Sequence, residues 1–455
     1  MRNNILMFLG VAILLISGST ISALAQATPE EIARLGNDLT PFGAEKAGNA
    51  DGTIPAWEGG ITSPPEGYKV GDHHPDPYAD DKILVTITAG NMDQYADKLT
   101  QGHKILLKTY PTFKMNVYPT HRSIAAPQRI YDATKRIAAE AKMISDGNGL
   151  ENVGEGIPFP IPENGLEVVW NHLLRWRGNS LDRHYHNVPV TRSGSYTLGE
   201  HTELFDLLYS HKGMDDSKLN NMIYRYRSED QAPARISGSI SLLHETLDQN
   251  KEGRKAWSYN PGQRRVRRAP QLSFDTPTGG SDGLETIDSL DMFNGSPERY
   301  EWKLVGKKEM YIPYNAYKFK SPAITYKELL TPLHPNPVAM RYELHRVWIV
   351  EGTLKQGTRH IYKKRTFYVD EDSWQIVGAD LYDSRDNLWR ISEAHIINFY
   401  EIPATWPVGE IHYDLQAGRY MADKLSNEIE TMWKFNVEFA KGTFSPQALR
   451  RAGKR

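Results

Sequence analysis

Beyond about residue 183 the chain is written in short segments rich in aromatic and β-branched residues, each closed by a polar turn. No other feature of the 455-residue sequence restricts the fold as strongly. The segments are Asn221 to Arg227, Ala234 to Leu243, Lys255 to Tyr259, Arg264 to Ala269, Met340 to Glu351, His360 to Val369, Gln375 to Tyr382 and Leu388 to Ile402. Such side chains suit a pleated, half-buried surface. Asn260-Pro261-Gly262-Gln263, Lys355-Gln356-Gly357, Asp370-Glu371-Asp372-Ser373 and Asp383-Ser384-Arg385-Asp386-Asn387 supply turn chemistry between them. Strand, short polar turn and strand in succession make antiparallel hairpins. The expected body is a large curved antiparallel sheet, an incomplete β-barrel with helices against its concave face, in an α+β architecture.

The first 182 residues read differently. Arg2, an apolar run from Ile5 to Ile16, polar residues to Ser22 and then Ala23-Leu24-Ala25 form a secretory signal peptide with cleavage expected after Ala25. From Thr28 to about Pro77 the density of Gly and Pro predicts an ordered coil, docked on the sheet through Leu39, Phe42, Ile54, Trp57 and Tyr68. Asn91 to Leu107 predicts an amphipathic helix broken near Gly102. Pro127 to Ile144 and Gly165 to Trp176 predict two more, and Ser445-Pro446 starts a last one. Residues 414–440 read equally as helix or strand. The mature chain, 26–455, is expected to be one domain, with 26–182 as wrap and helices and 183–455 as sheet.

Composition excludes several classes of chemistry. Lys plus Arg total 54 against 56 Asp plus Glu, so no basic field gathers nucleic acid. The chain has no cysteine, which removes disulfides, thiolate catalysis, Cys-ligated zinc and iron–sulfur clusters. It also removes a lipid anchor at residue 26, so the expected place is the periplasm, as a soluble protein and not a lipoprotein.

Several stretches together resemble the DUF1329 family of secreted bacterial proteins. They are Leu39-Thr40-Pro41-Phe42-Gly43-Ala44-Glu45, Asp51-Gly52-Thr53-Ile54-Pro55-Ala56-Trp57 and His74-Pro75-Asp76-Pro77-Tyr78. Phe159-Pro160-Ile161-Pro162-Glu163-Asn164-Gly165-Leu166-Glu167, Trp257-Ser258-Tyr259-Asn260-Pro261-Gly262-Gln263-Arg264-Arg265-Val266 and Ala379-Asp380-Leu381-Tyr382-Asp383 complete the set. The resemblance implies a fold like the lipoprotein carriers LolA and LolB, an incomplete barrel around an apolar cavity. It also implies the company of RND-type transporters or outer-membrane proteins. It supplies no catalytic residues and no cofactor.

A carrier of a hydrophobic or lipid-like molecule needs a sheet with an apolar inward face and a wet outward one. Strand alternation places Tyr342, Leu344, Arg346, Trp348 and Val350 on one face, with Glu343 and His345 opposite. Phe367, the pair Trp257 and Tyr259, and the pair Tyr224 and Tyr226 are the other candidate lining residues; the same aromatics would equally fill a solid core. Arg264, Arg265, Arg267 and Arg268 offer guanidinium forks to an anionic head or an acidic partner, or to neighbouring carboxylates on an edge strand.

Histidines form two groups, His184 and His186 with Glu200 and His201, and His73-His74 with Asp72 and Asp76. Zinc needs three or four converging ligands and the spacing brings only two together, so no metal is expected. Gly279-Gly280-Ser281-Asp282-Gly283 matches a nucleophile-elbow pattern without the strand and helix that the chemistry needs. Gly147-Asn148-Gly149 opens like a dinucleotide loop, but Asn152 stands where its third glycine belongs. The leading expectation is a non-enzymatic transfer protein. A secreted hydrolase and a structural adaptor for an outer-membrane protein are the alternatives.

Overall fold

A computed structural model describes residues 27–269, 274–431 and 433–452. The expected signal peptide and its cleavage site lie outside the described residues. The strands of the first half are β1 (Val85–Ile87), β2 (Met115–Val117), β3 (Lys142–Ile144), β4 (Gly149–Glu151), β5 (Ser180–Val190), β6 (Gly199–Asp206), β7 (Met222–Ala232), β8 (Ile240–Thr246), β9 (Lys255–Asn260) and β10 (Arg265–Arg268). Those of the second half are β11 (Tyr300–Pro313), β12 (Tyr342–Leu354), β13 (Lys364–Asp370), β14 (Ile376–Tyr382), β15 (Leu388–Phe399), β16 (Ala404–Asp414), β17 (Arg419–Leu425) and β18 (Lys434–Phe435). The helices are α1 (Pro29–Arg34), α2 (Gln101–Thr109), α3 (Gln128–Ile137), α4 (Gly165–Leu174), α5 (Asp216–Leu219), α6 (Tyr326–Leu329) and α7 (Pro446–Ala452).

Two antiparallel meanders, β5 to β10 and β11 to β17, join where β17 pairs with β5 through Tyr420↔Val190, Met421↔Pro189 and Ala422↔Val188. The ends, β10 and β11, do not pair with each other among the described residues, so the sheet stays open. β1 and β2 extend it through one parallel contact, Tyr342↔Val117, and β3 with β4 forms a separate hairpin.

Both faces of the second meander are covered. Asp380 and Glu393 share one face, since Gly378 pairs with Glu393. There α2 packs, with its Gly102 amide on Asp380 at 3.0 Å and His103 Nε2 on Glu393 at 3.0 Å. Phe367, Ser392 and His412 share the other face. Against it lie α4 and the segment 274–296, held by rings such as Phe293 on Phe367 and by Arg365 on Asp288 at 2.6 Å.

α4 is the interior element: nine of its ten residues are buried. A helix apolar on nearly all sides belongs inside a core, and each fully buried large side chain there stabilises by roughly 1.5–3 kcal/mol. Asn164 caps it by accepting from the amides of Leu166 and Glu167, both at 3.1 Å. Gly165 is required because a Cβ there would stand 2.8 Å from the Lys303 carbonyl carbon.

Several expectations need correction. The break in the second helical region falls at Leu99–Thr100, between a 3₁₀ turn over Met92–Lys98 and α2, because the Thr100 hydroxyl caps α2; Gly102 sits inside the helix. The helix from Pro127 stops at Ile137, and Lys142–Ile144 is strand. Residues 419–425 are strand, entered through Gly418 at φ +63°. The outward face of β12 is not wet: Glu343 and His345 are buried, with Glu343 accepting from the His121 amide at 2.8 Å and Arg341 at 2.6 Å. Tyr314 stacked on His345 at 3.7 Å and Asn315 donating to Glu343 at 3.0 Å provide that cover, and the N-terminal third docks alongside. Phe42 O accepts from Trp374 Nε1 at 3.0 Å, Ile124 O accepts from Trp57 Nε1 at 3.0 Å, and Arg122 forks onto Asp372 at 2.6 and 2.9 Å.

Asn164→Ala removes the acceptor for two α4 amides. The expected loss is about 1 kcal/mol of unfolding free energy, read as a lower denaturant midpoint at unchanged slope.

Candidate functional site

Between α4, the strands β5 to β8 with β16 and β17, and the segment 290–295 lies a cavity of about 50 Å³. Its apolar wall includes Trp170, Phe205, Tyr224, Tyr226, Phe293 and Trp406. Its polar wall holds Arg175, Arg177, Arg183 and Lys424 with Glu203, Glu245, Asp291 and Glu410. A water takes about 30 Å³ of liquid and ligand pockets run to roughly 300–1,000 Å³. In this conformation the chamber holds solvent-sized guests.

The chain around Asp291 is built to point its carboxylate inward. Asp291, Met292 and Gly295 all adopt positive φ, which turns the segment sharply under α4. Arg175 Nη2 donates to both Asp291 oxygens at 2.6 and 2.7 Å, and Arg177 Nη1 bonds the same carboxylate. Burial pushes the Asp291 carboxyl up, but the two guanidiniums outweigh it and hold it well below the usual range. His172 joins this knot. Its Nδ1 accepts from the Ile376 amide at 3.2 Å, while Nε2 donates to the carbonyls of Asp291 and Phe293 at 3.0 and 3.1 Å. Burial first, and Arg175 second, push its pKa down to about 3.

A second knot crosses the sheet. Arg183 Nε donates to Glu203 Oε2 at 2.7 Å, and the hydroxyls of Tyr185 and Tyr226 donate to Oε1 at 2.8 and 2.5 Å. The guanidinium also lies over Trp433 at 4.9 Å and Trp406 at 5.3 Å. Burial raises the Glu203 pKa, and Arg183 and Lys424 overcome it, to about 2. Beside this knot, Glu285, Glu410 and His412 meet in the interior. Burial pushes Glu410 well above the carboxylate range and Glu285 up to about 8, and pushes His412 down to about 4.

The residues singled out from sequence are scattered. Tyr224 and Tyr226 line the chamber. Trp257 and Tyr259 pack with Leu449 and Phe444 in a satellite cluster. Phe367 lies one layer back, behind Phe293; Trp348 stacks on Trp374; the Tyr342 hydroxyl donates to Glu393 at 3.0 Å; Leu344 is buried in the main core. Arg265, Arg267 and Arg268 are exposed on β10, with Arg264 in the turn before it.

Among the histidines, His184, His186 and Glu200 do converge, because His186 pairs with Glu200 across β5 and β6. His184 Nε2 is 2.9 Å from Glu200, and His186 Nδ1 is 2.7 Å from the Tyr326 hydroxyl. His201 points the other way, to Asp230 and Asn187. His73 meets the Ile429 carbonyl, whereas His74 contacts Glu401 and Lys320, so Asp72 and Asp76 do not join them. Ser281 Oγ donates to the Thr278 carbonyl at 2.9 Å inside a turn. Gly147-Asn148-Gly149 is the turn of the β3–β4 hairpin.

A family model, "Protein of unknown function (DUF1329)", matches residues 86–450. The chain belongs to the DUF1329 family. It is 47% identical over 448 residues to the uncharacterized protein PA3922 of Pseudomonas aeruginosa, covering 98% of each. Among solved structures, this DUF1329 chain is similar to a DUF1329 family protein from Desulfovibrio piger (TM-score 0.39, 15% identity, 60% of this chain and 92% of that one). It is also similar to a LolA superfamily protein from Nitrosomonas europaea (TM-score 0.37, 13% identity, 62% and 98%). Among the described residues no helix is long and apolar enough to cross a membrane.

Two outcomes follow from the knots. Asp291→Asn leaves two buried guanidiniums facing one neutral amide, at a cost of roughly 3–5 kcal/mol, read as a lower thermal midpoint. Neutral His172 stabilises fully above its ordinary pKa of 6.5, and that contribution is lost as pH falls toward about 3. The slope is up to about 1.4 kcal/mol per pH unit. His74, His186, His395 and His412, each pushed down to about 4 chiefly by burial, act in the same direction. The buried carboxyls of Glu285, Glu410, Asp370 and Asp380, raised chiefly by burial, act in the opposite direction. The histidine contribution is therefore read by difference: the thermal midpoint of His172→Asn should fall less between pH 6 and 4.5 than that of the native protein, and equal slopes contradict this.

Proposed function

We propose that this DUF1329 protein is a soluble periplasmic carrier that binds an amphipathic, lipid-like molecule with an acidic head and hands it to an envelope transporter or outer-membrane protein. The observation that carries the reading is the chamber itself. Aromatic walls and fixed guanidiniums meet in one enclosed place on an open sheet. An apolar chain would lie against Trp170, Phe205, Tyr224 and Tyr226, stabilised by roughly 0.8 kcal/mol for each buried methylene. The acidic head would meet Arg175, whose Nε has no hydrogen-bond partner among the described residues. With its Nη atoms taken by Asp291 and the His172 carbonyl, the guanidinium offers that one charged N–H to a carboxylate or phosphate oxygen. Burial alone is the mechanism, and no covalent step is involved.

A chamber of about 50 Å³ requires opening before a chain enters. The segment 290–295 is the element assigned to move, since it closes one wall and contributes no strand to the sheet. Exposed Arg265, Arg267 and Arg268 on β10 are assigned to partner contact, where an edge strand faces solvent.

The test uses dansylaminoundecanoic acid and its methyl ester as probes. Fluorescence titration should show saturable binding of the acid, weaker binding of the ester, and about tenfold loss of affinity in Ile223→Phe, which fills the chamber. Absence of binding by either probe, together with native mass spectra free of any bound lipid, overturns the carrier reading.

A further inference from the structure

Behind the chamber wall three side chains converge with their facing atoms unanswered. β16 presents Glu410 and His412, two residues apart and therefore on one face, and Glu285 comes over them from the segment 274–296. His412 Nε2 stands 3.7 Å from Glu285 Oε1 and 3.9 Å from Glu410 Oε2. All three ligand atoms lie within 4.8 Å of one another. The two distances exceed hydrogen-bond length. None of the three atoms has a hydrogen-bond partner among the described residues, although each residue is at most 3% exposed. Buried polar atoms left without partners are rare and call for an explanation.

Two of these side chains are held from behind. His412 Nδ1 is 2.8 Å from Ser392 Oγ, and Thr278 Oγ1 donates to Glu285 Oε2 at 2.6 Å. One heteroatom fixed and the other aimed at a shared point is how ligands are arranged around a metal ion. Atoms about 2.1 Å from a tetrahedral ion stand about 3.4 Å apart, so a small contraction of this triangle accommodates one.

The local charge agrees. Asp423 and Lys424 are the charged groups that act on both carboxyls through space, and these two are paired with each other. Arg390 beside His412 is matched by Asp414 at 3.3 Å. With Glu285 and Glu410 ionised, three carboxylates face one ammonium, and two negative charges are left to neutralise.

We propose that Glu285, Glu410 and His412 form a buried site for one divalent transition cation, of the zinc or manganese kind. One imidazole and two carboxylates suit such ions and, with no thiolate, do not select copper(I). Glu410 also lines the chamber, so the ion would lie directly behind its wall. The site stands independently of the carrier reading: it holds if the chamber binds nothing, and fails without affecting lipid binding.

The test is metal content by inductively coupled plasma mass spectrometry, on protein isolated without chelator and on apoprotein reloaded with Zn(II) or Mn(II). About one ion per chain should survive desalting and raise the thermal midpoint by about 5 °C. Glu285→Gln and Glu410→Gln, close in shape to the native side chains, should fold with native circular dichroism and lose the ion. X-ray absorption of the zinc-loaded native protein should show one imidazole among oxygen ligands, a readout independent of any variant's folding. No retained ion after reloading overturns the site, as does full metal content in both amide variants. A two-imidazole spectrum, pointing to His184 and His186, does so as well.

Discussion

One carboxylate organises the interior. Asp291 is shared by Arg175 and Arg177 at the end of α4, in the core of an open sheet, and each partner would be very costly there alone. Because the aspartate sits on a segment of positive-φ residues and the arginines on the chain leaving α4, their union fixes where that segment runs beneath the helix. The wall of the chamber, the ring contact of Phe293 on Phe367 and the carbonyls that His172 bonds all depend on it. Replacing such a knot by apolar residues need not destabilise a protein. What it provides is position.

The same knot explains why an open sheet is nevertheless closed to ligand. An incomplete barrel without an inner element would leave a large apolar trough. Here α4 fills the trough and leaves a chamber of about 50 Å³, mostly apolar in its lining, with the ion pairs set into one wall. On the carrier reading proposed above, this arrangement is the closed resting state. Binding energy from a chain would have to offset the opening of the 290–295 segment, which sets a threshold on chain length.

How much of this was legible in the sequence depended on what each strand faces. β12 to β15 announced themselves because aromatic and β-branched residues dominate them. β5, β6, β11, β16 and β17 did not appear among the expected segments. They carry charged or strand-interrupting residues that are buried, Arg183, Glu203, Glu410 and Asp423 with Gly409 and Pro407, and β16 is buried along its whole length. The alternation rule assumes that charge points to water, and this interior violates it. For the same reason Tyr224 and Tyr226 were identifiable as chamber candidates and their partners Glu203, Glu245 and Asn294 were not. α4 was readable from its stripe of Leu166, Val169, Trp170, Leu173 and Leu174. The break before α2 lies at Leu99–Thr100 and not near Gly102, because the Thr100 hydroxyl caps the helix. Convergence of Glu285 with β16 is a long-range contact that no local pattern carries.

The central claim is that the 290–295 segment is a closure over a chamber whose other walls are rigid. Amide hydrogen exchange followed by mass spectrometry, with and without saturating dansylaminoundecanoic acid, tests it most directly. The account predicts that amides of 290–295 exchange by local opening while β15 and β16 remain protected, and that bound probe slows exchange in that segment. Protection of 290–295 equal to that of β15 and β16, unchanged by the probe, would contradict it.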